Sequence, residues 1–336
     1  MSDFKINIGE KYAAVALQSD RDRQLSSRMW PNGIWTTRKP FIYFDDHWRE
    51  WLGSIRTEHF DSSNFFIVVK KSSQTPDILD QENRELSKLA TNFYLGLLLA
   101  GRIPIYEKPL LITGGMTEKS ASIRQLTDIN CPIEFSGIDQ DPLNQNVLTL
   151  ASRIGDEIPH FWAVRDRYKR FRRVMNIYFS ARTTTDILDR LHQYTRCVEG
   201  FIIPSAGQTA RKFQSRTELF IGPSHHQLMK DIFEVRSAIE HMNDHLNMIS
   251  TNREDRAQIY RWATIIEYIA RDCIVRVIES TALRRYFETD EELLDFWKLS
   301  AQHRRELWGP PIDPLEAIGS FNQRLISNSE LGLPVG

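Results

Sequence analysis

The sequence predicts an α+β chain: a mixed α/β domain over residues 1–160, an all-α helical bundle over residues 161–305 and a tail over 306–336. Three observations carry this reading. Short runs rich in aromatic and β-branched residues alternate with turn formers in the first part. Apolar residues recur at helical spacing almost without interruption from Phe161 onward, and prolines and glycines fall between those periodic segments. A chain of 336 residues with 41% hydrophobic content is long enough for two cores.

In the first part, Phe4 to Ile8, Phe41 to Phe44, Phe65 to Lys70 and Leu110 to Thr113 read as strands, with turns at Trp30-Pro-Asn-Gly33 and Ser72-Ser-Gln-Thr-Pro76. A helix is expected from Asp80 to Ala100, because Leu86, Leu89, Ala90, Phe93 and Leu97 share one face and Gly101 stands where a helix would stop. The segment from Gly101 to Pro159, richer in Gly, Pro and Asn, is expected to be irregular with short strands. In the second part the periodicity predicts helices over 161–181, 184–203, 207–220, 226–247 and 252–279, with shorter ones over 281–288 and 290–303. Thr184 or Thr185 is the expected N-cap of the second and Asn252 of the fifth, while Pro204, Gly222-Pro223 and Pro310-Pro311 punctuate the series.

Composition narrows the function classes. The longest apolar run, Phe93 to Ala100, is far short of the ~20 residues that span a bilayer, and the first twenty residues lack the pattern of an export signal. No membrane partner is therefore expected. Cys131, Cys197 and Cys273 are odd in number and form no C-x-x-C pair, which suggests neither a disulfide framework nor a cysteine zinc site, so a reducing cytoplasm is the default expectation. A net charge of −1 argues against a uniformly basic nucleic-acid binder but leaves local patches open.

The strongest lead to chemistry is Arg236 and His241, separated by four residues on the amphipathic segment 231–245, with Leu228, Ile232, Val235 and Ile239 forming its buried stripe. An imidazole gives or takes a proton near neutral pH, and a guanidinium grips phosphate oxygens with two parallel hydrogen bonds. The spacing alone is weak, since chance supplies about two such pairs in this composition. The chain has a second, Arg153 and His160, where Gly155 and Pro159 argue against an uninterrupted helix. A structural alternative for Arg236 is an ion pair with Glu240 one turn away. His241 and His245 also have metal-compatible spacing, but without an H-E-x-x-H arrangement or an obvious carboxylate ligand a polar helix face is the simpler reading. The turn at Thr113-Gly-Gly115 lacks the remainder of a phosphate loop and is set aside.

The stretch from Phe161 to Arg173 interleaves Arg165, Arg167, Lys169, Arg170, Arg172 and Arg173 with four aromatics. On a continuous helix Phe161, Val164, Tyr168 and Phe171 fall on one buried stripe, leaving the basic residues as a solvated face suited to RNA phosphates.

Three stretches resemble the HEPN superfamily, in its Apea-like branch: Leu191 to Phe201, Lys212 to Arg216 leading into Leu219 to Gly222, and Phe233 to Met242 with its R-x4-6-H pattern. Weaker similarity to the region preceding such domains lies in Trp48 to Gly53, Leu79 to Asn83 and Tyr94 to Leu97. The resemblance implies a HEPN-like bundle that dimerises, with Arg236 and His241 as catalytic residues of a metal-independent endoribonuclease that needs no cofactor. Its substrate would be RNA, tRNA among the candidates, in antiviral defence or as a toxin. Glu199, Arg216, Ser237 and Asn243 would be supporting residues, Glu199 and Arg216 as a buried pair or a link to the helix bearing the motif, with a structural salt bridge within the bundle as the simpler reading, and the amino-terminal domain would receive a regulatory or trigger partner. Ser237 departs from the pattern, since active members often carry Asn, Asp or His there. The alternative is a non-catalytic module of the same type that binds protein or RNA. A third reading, a metal-dependent hydrolase built on the histidines, would require bound zinc or manganese.

Overall fold

The computed structural model describes residues 4–20, 25–118, 120–203, 209–241, 252–319 and 321–333. The chain is α+β and divides into two compact units, one of residues 1–134 and 140–159, the other of residues 135–139 and 160–336.

In the first unit, β1 (Glu10–Leu17), β2 (Arg28–Met29), β3 (Ile34–Thr37), β4 (Phe65–Ser72), β5 (Leu110–Met116) and β6 (Ala121–Asp128) form one sheet in the order β2-β3-β4-β1-β5-β6. Every pairing is antiparallel. The central strand β1 escapes sequence reading because both its faces are covered: Tyr12 to Leu17 are all buried, so no polar alternation marks it, and three of those residues are alanines of low strand preference. The expected strands at Phe4 to Ile8 and Phe41 to Phe44 do not form. Both segments are irregular, yet Ile6, Phe41, Ile42 and Phe44 are buried with Tyr12, Phe60 and Phe66. Their apolar content signals burial, not strand pairing.

Helix α1 (Asp46–Ser62) was not expected either. Asp45 caps it by accepting from the Trp48 amide at 3.1 Å, and Gly53, with φ of 75°, breaks its run and resets the apolar phase that would have revealed it. Helix α2 (Gln81–Ala100) matches its prediction closely, with Asp80 and Asn83 forming a reciprocal cap and Leu86, Ala90, Phe93 and Leu97 buried. The strand expected at Leu110 to Thr113 forms as part of β5, but the segment expected to be irregular with short strands also holds β6 and helix α3 (Gln145–Ala163), which runs through Gly155 and Pro159. The bare Gly155 lets this helix approach α2, because a Cβ there would lie 3.0 Å from the Asn92 carbonyl oxygen, and Leu148, Ala151, Ile154 and Ile158 are buried along it. That packing outweighs the hydrogen bond lost at Pro159. Arg153 and His160 therefore also lie on a continuous helix, and the interruption expected between them is absent.

The glycine pair of the Thr113-Gly-Gly115 segment has a packing explanation. It sits inside β5 at a register shift, where a Cβ on Gly114 would meet the Ser122 carbonyl oxygen at 1.7 Å and one on Gly115 the Pro76 oxygen at 1.8 Å.

The second unit is helical: α4 (Lys169–Arg182), α5 (Ile187–Ile202), α6 (Thr209–Ile221), α7 (His226–Glu240), α8 (Arg253–Glu279), α9 (Thr281–Arg284), α10 (Asp290–Lys298), α11 (Ala301–Trp308) and α12 (Pro314–Ala317). Helix α8 is its axis, with Ile265, Ile266, Ile269, Ala270 and Ile274 fully buried. Asn252 caps α8 as expected, whereas α5 is capped by Asp186 and not by Thr184 or Thr185. The expected helix over 161–181 is broken between Ala163 and Lys169. Tyr168 takes a left-handed φ of 58°, its amide donates to the Glu288 carbonyl at 2.7 Å and its ring packs on Phe161. The expected helix over 290–303 is also two helices, because Ser300 starts a new one by accepting from the His303 amide. The described part of the tail lies on α8, where Arg256 donates to the Leu331 oxygen at 2.7 Å and Tyr260 to that of Glu330 at 2.6 Å. Pro204 and residues 242–247 of the expected helices lie outside the described residues.

A polar network threads this core. Glu267, fully buried on α8, accepts from Tyr178 at 2.7 Å and from Arg271 at 3.0 Å, with Arg182 of α4 at 3.9 Å.

Candidate functional site

Helix α7 is amphipathic as predicted, with Met229, Ile232 and Val235 buried and Val235 packed on Leu191 of α5. That packing puts the polar side of α7 beside the polar side of α5. Arg236 emerges at this seam with its side chain 14% exposed. Its Nη2 donates to Glu199 Oε2 at 3.0 Å, and Nη1 pairs with Glu240 on its own helix. Both structural possibilities raised by the sequence, the pair with Glu240 and a link from Glu199 to the helix bearing the motif, are therefore realised together.

His241 is the first residue beyond α7. Its side chain is exposed, while its amide donates to the Ser237 carbonyl at 3.2 Å, so the motif ends at the point where the helix does. Ser237 is half-buried. Asn243 and His245 lie outside the described residues. His225 faces Asp313 at 3.7 Å and His226 pairs with Glu218. Among the described residues, no three His, Cys, Asp or Glu side chains converge as a metal-binding group.

Arg216 does not join Glu199. Its guanidinium donates to the Ile202 and Ile203 carbonyls at the end of α5 and lies 4.7 Å from the Trp297 ring centroid. It closes the helix C-terminus, where carbonyls lack helical partners and attract positive charge.

Burial raises the Glu199 carboxyl above its ordinary value, and the charge and hydrogen bond of Arg236 oppose that shift. The sign follows from proton binding. The native state keeps this proton to a higher pH than the unfolded chain, so stability falls as pH rises from the ordinary carboxylate range through the raised value, and returns on acidification. Wild type is thus expected to gain stability relative to Glu199→Gln as pH falls from neutral into the ordinary carboxylate range, read as the gap between their urea midpoints. An unchanged gap would refute the assignment.

Sequence reading overlooked two neighbours. His192 and Arg196 precede Glu199 on α5 by seven and three residues, on one helical face. Burial first, and then the charges of Arg236 and Arg196, hold the His192 imidazole below its ordinary value, and its Nε2 is buried without a hydrogen-bond partner among the described residues. The polar stripe was legible in the spacing of these residues, but nothing in the sequence singled them out from other surface residues.

The basic stretch is largely committed to the protein itself. Arg170 makes a two-pronged pair with Asp290, both contacts 2.6 Å, Arg167 reaches Glu288 at 3.0 Å, Lys169 reaches Asp166 at 3.1 Å and Arg172 donates to the Arg165 carbonyl at 2.7 Å. Phe161, Tyr168 and Phe171 are core, but Val164 is 42% exposed because the helix stops before the expected stripe is complete. Of the six basic side chains, only those of Arg165 and Arg173 are left without a hydrogen bond or ion pair among the described residues, and the break before Lys169 sets Arg165 and Arg167 outside the helix that carries the other four.

No helix among the described residues is long and apolar enough to cross a membrane. In comparisons with family models, curated proteins and solved structures, the chain matches none.

Proposed function

We propose that the chain is a metal-independent endoribonuclease of the HEPN type, with a site completed by a second copy. The observation that carries the reading is Arg236 on α7, held at the seam by Glu199, together with exposed His241 immediately past the end of that helix. Residues five apart on a helix are rotated by about 140°, so the two side chains serve one phosphate best when two α7 helices pair about a twofold axis. In such a cleft the ribose 2′-oxygen attacks the adjacent phosphorus as one His241 takes its proton. The bond to the 5′-oxygen breaks, that oxygen is protonated by the other His241, and Arg236 offsets charge on the phosphoryl oxygens. The amino-terminal unit serves as sensor or restraint.

The test is incubation of the purified protein with total RNA and tRNA in EDTA. Fragments ending in 2′,3′-cyclic phosphate and 5′-hydroxyl are expected; intact RNA, or fragments with other ends, would overturn the mechanism. The second reading, a binding module without catalysis, is favoured by one observation: two carboxylates already occupy the Arg236 guanidinium. Retained RNA binding with no cleavage would support it.

A further inference from the structure

A groove of about 210 Å³ runs between α4 and α5, lined by Arg170, Arg173, Arg196 and Glu199 and floored by Val174 and Gly200. Its form depends on Gly200, where a Cβ would lie 2.2 Å from Val174 Cγ2, so any larger residue would push the two helices apart. Three guanidiniums and one carboxylate meet here; Arg170 and the carboxylate already have partners of opposite charge in Asp290 and Arg236, which leaves the charges of Arg173 and Arg196 uncompensated. Arg173 is exposed and Arg196 half-buried, and neither makes a hydrogen bond or ion pair among the described residues. Arg170 is held in place by Asp290. Like charges gathered in one concavity repel one another unless an anion joins them.

A larger neighbouring cavity of about 490 Å³ shares Arg170 and Arg173 and adds Lys169, but Asp166, Glu288, Asp290 and Glu291 also line it, so acidic side chains outnumber basic ones and it offers an anion little. The groove has no aromatic or amide lining, which suits it to phosphate and not to base identity.

We infer that this groove binds a backbone phosphate of single-stranded RNA. Glu199 is both its acidic wall and the partner of Arg236, so a phosphate seated here places the strand one side chain from the motif arginine. The inference rests on the ribonuclease reading for its ligand, but its test reads binding, not cleavage.

The experiment measures fluorescence anisotropy of a labelled oligouridylate with the His241→Ala protein, which keeps the probe intact, across a salt series. Adding Arg173→Gln and Arg196→Gln is expected to weaken binding at least tenfold and to lower the slope of log affinity against log salt by about 0.7, from the one lost phosphate. Adding Arg324→Gln instead, an exposed arginine outside the groove, should change neither. Unchanged affinity and slope in the groove variant would overturn the inference. So would inorganic phosphate that displaces the RNA at concentrations comparable to the oligonucleotide's own, since the groove would then be a free-phosphate site. Absence of cleavage by wild type, with the groove-dependent binding retained, would refute the catalytic reading and leave the groove standing.

Discussion

His241→Ala is expected to slow RNA cleavage by about 10²- to 10⁴-fold, the range for removing a positioned acid or base, while leaving the urea midpoint nearly unchanged. The second half of that expectation comes from the structure. His241 lies beyond the last turn of α7 with an exposed side chain, and what it contributes to the helix end is its amide, which alanine retains. The side chain's interaction with the helix C-terminus is worth at most about 1 kcal/mol. Arg236→Ala would be a poorer probe, because it also strips Glu199 of its partner and mixes catalysis with stability. Measuring initial rates on a defined RNA beside the unfolding curves separates the two effects, and undiminished cleavage by the folded variant would remove His241 from the mechanism.

Glu267→Ala is expected to cost about 3–5 kcal/mol, the range for leaving a buried charge without its counter-ion. Glu267 and Arg182 are both almost completely buried, and Tyr178 and Arg271 bond to the same Glu267 oxygen. Removing the carboxylate leaves two guanidiniums and a phenol around an empty space in the bundle core. For a unit of this size the loss corresponds to a fall in melting temperature on the order of ten degrees. Thermal unfolding followed by far-ultraviolet circular dichroism reads it directly. Glu267→Gln, which keeps an acceptor for Tyr178, should lose less, and equal losses from both variants would mean that the charge alone, and not the retained acceptor, holds the network.

How much was legible depended on how local each signal is. Helix α2 was readable from its stripe and its terminal Gly101, and α7 and α8 from their periodicity, because an amphipathic helix writes its packing into one short segment. Strand β1 was not, because a strand covered on both faces loses its alternation. The segments around Phe41 and Phe4 misled for the opposite reason, since burial without pairing has the same composition as a strand. The break at Tyr168 depends on the carbonyl of Glu288, 120 residues away, and no local rule anticipates it.

The sequence by itself determined the α+β class and the helical character of the second part, because these follow from periodicity, whereas Arg236 and His241, on which the chemistry is proposed to rest, were singled out by the resemblance of their segment and not by spacing alone. Tertiary structure decided the rest. It spent most of the basic stretch on internal ion pairs, joined Glu199 to Arg236 instead of Arg216, and assembled a basic groove from Arg170, Arg173 and Arg196 on two helices. The physical reason is that a charge acquires its role from whatever lies within a few ångströms of it, and those neighbours come from segments far apart in the chain.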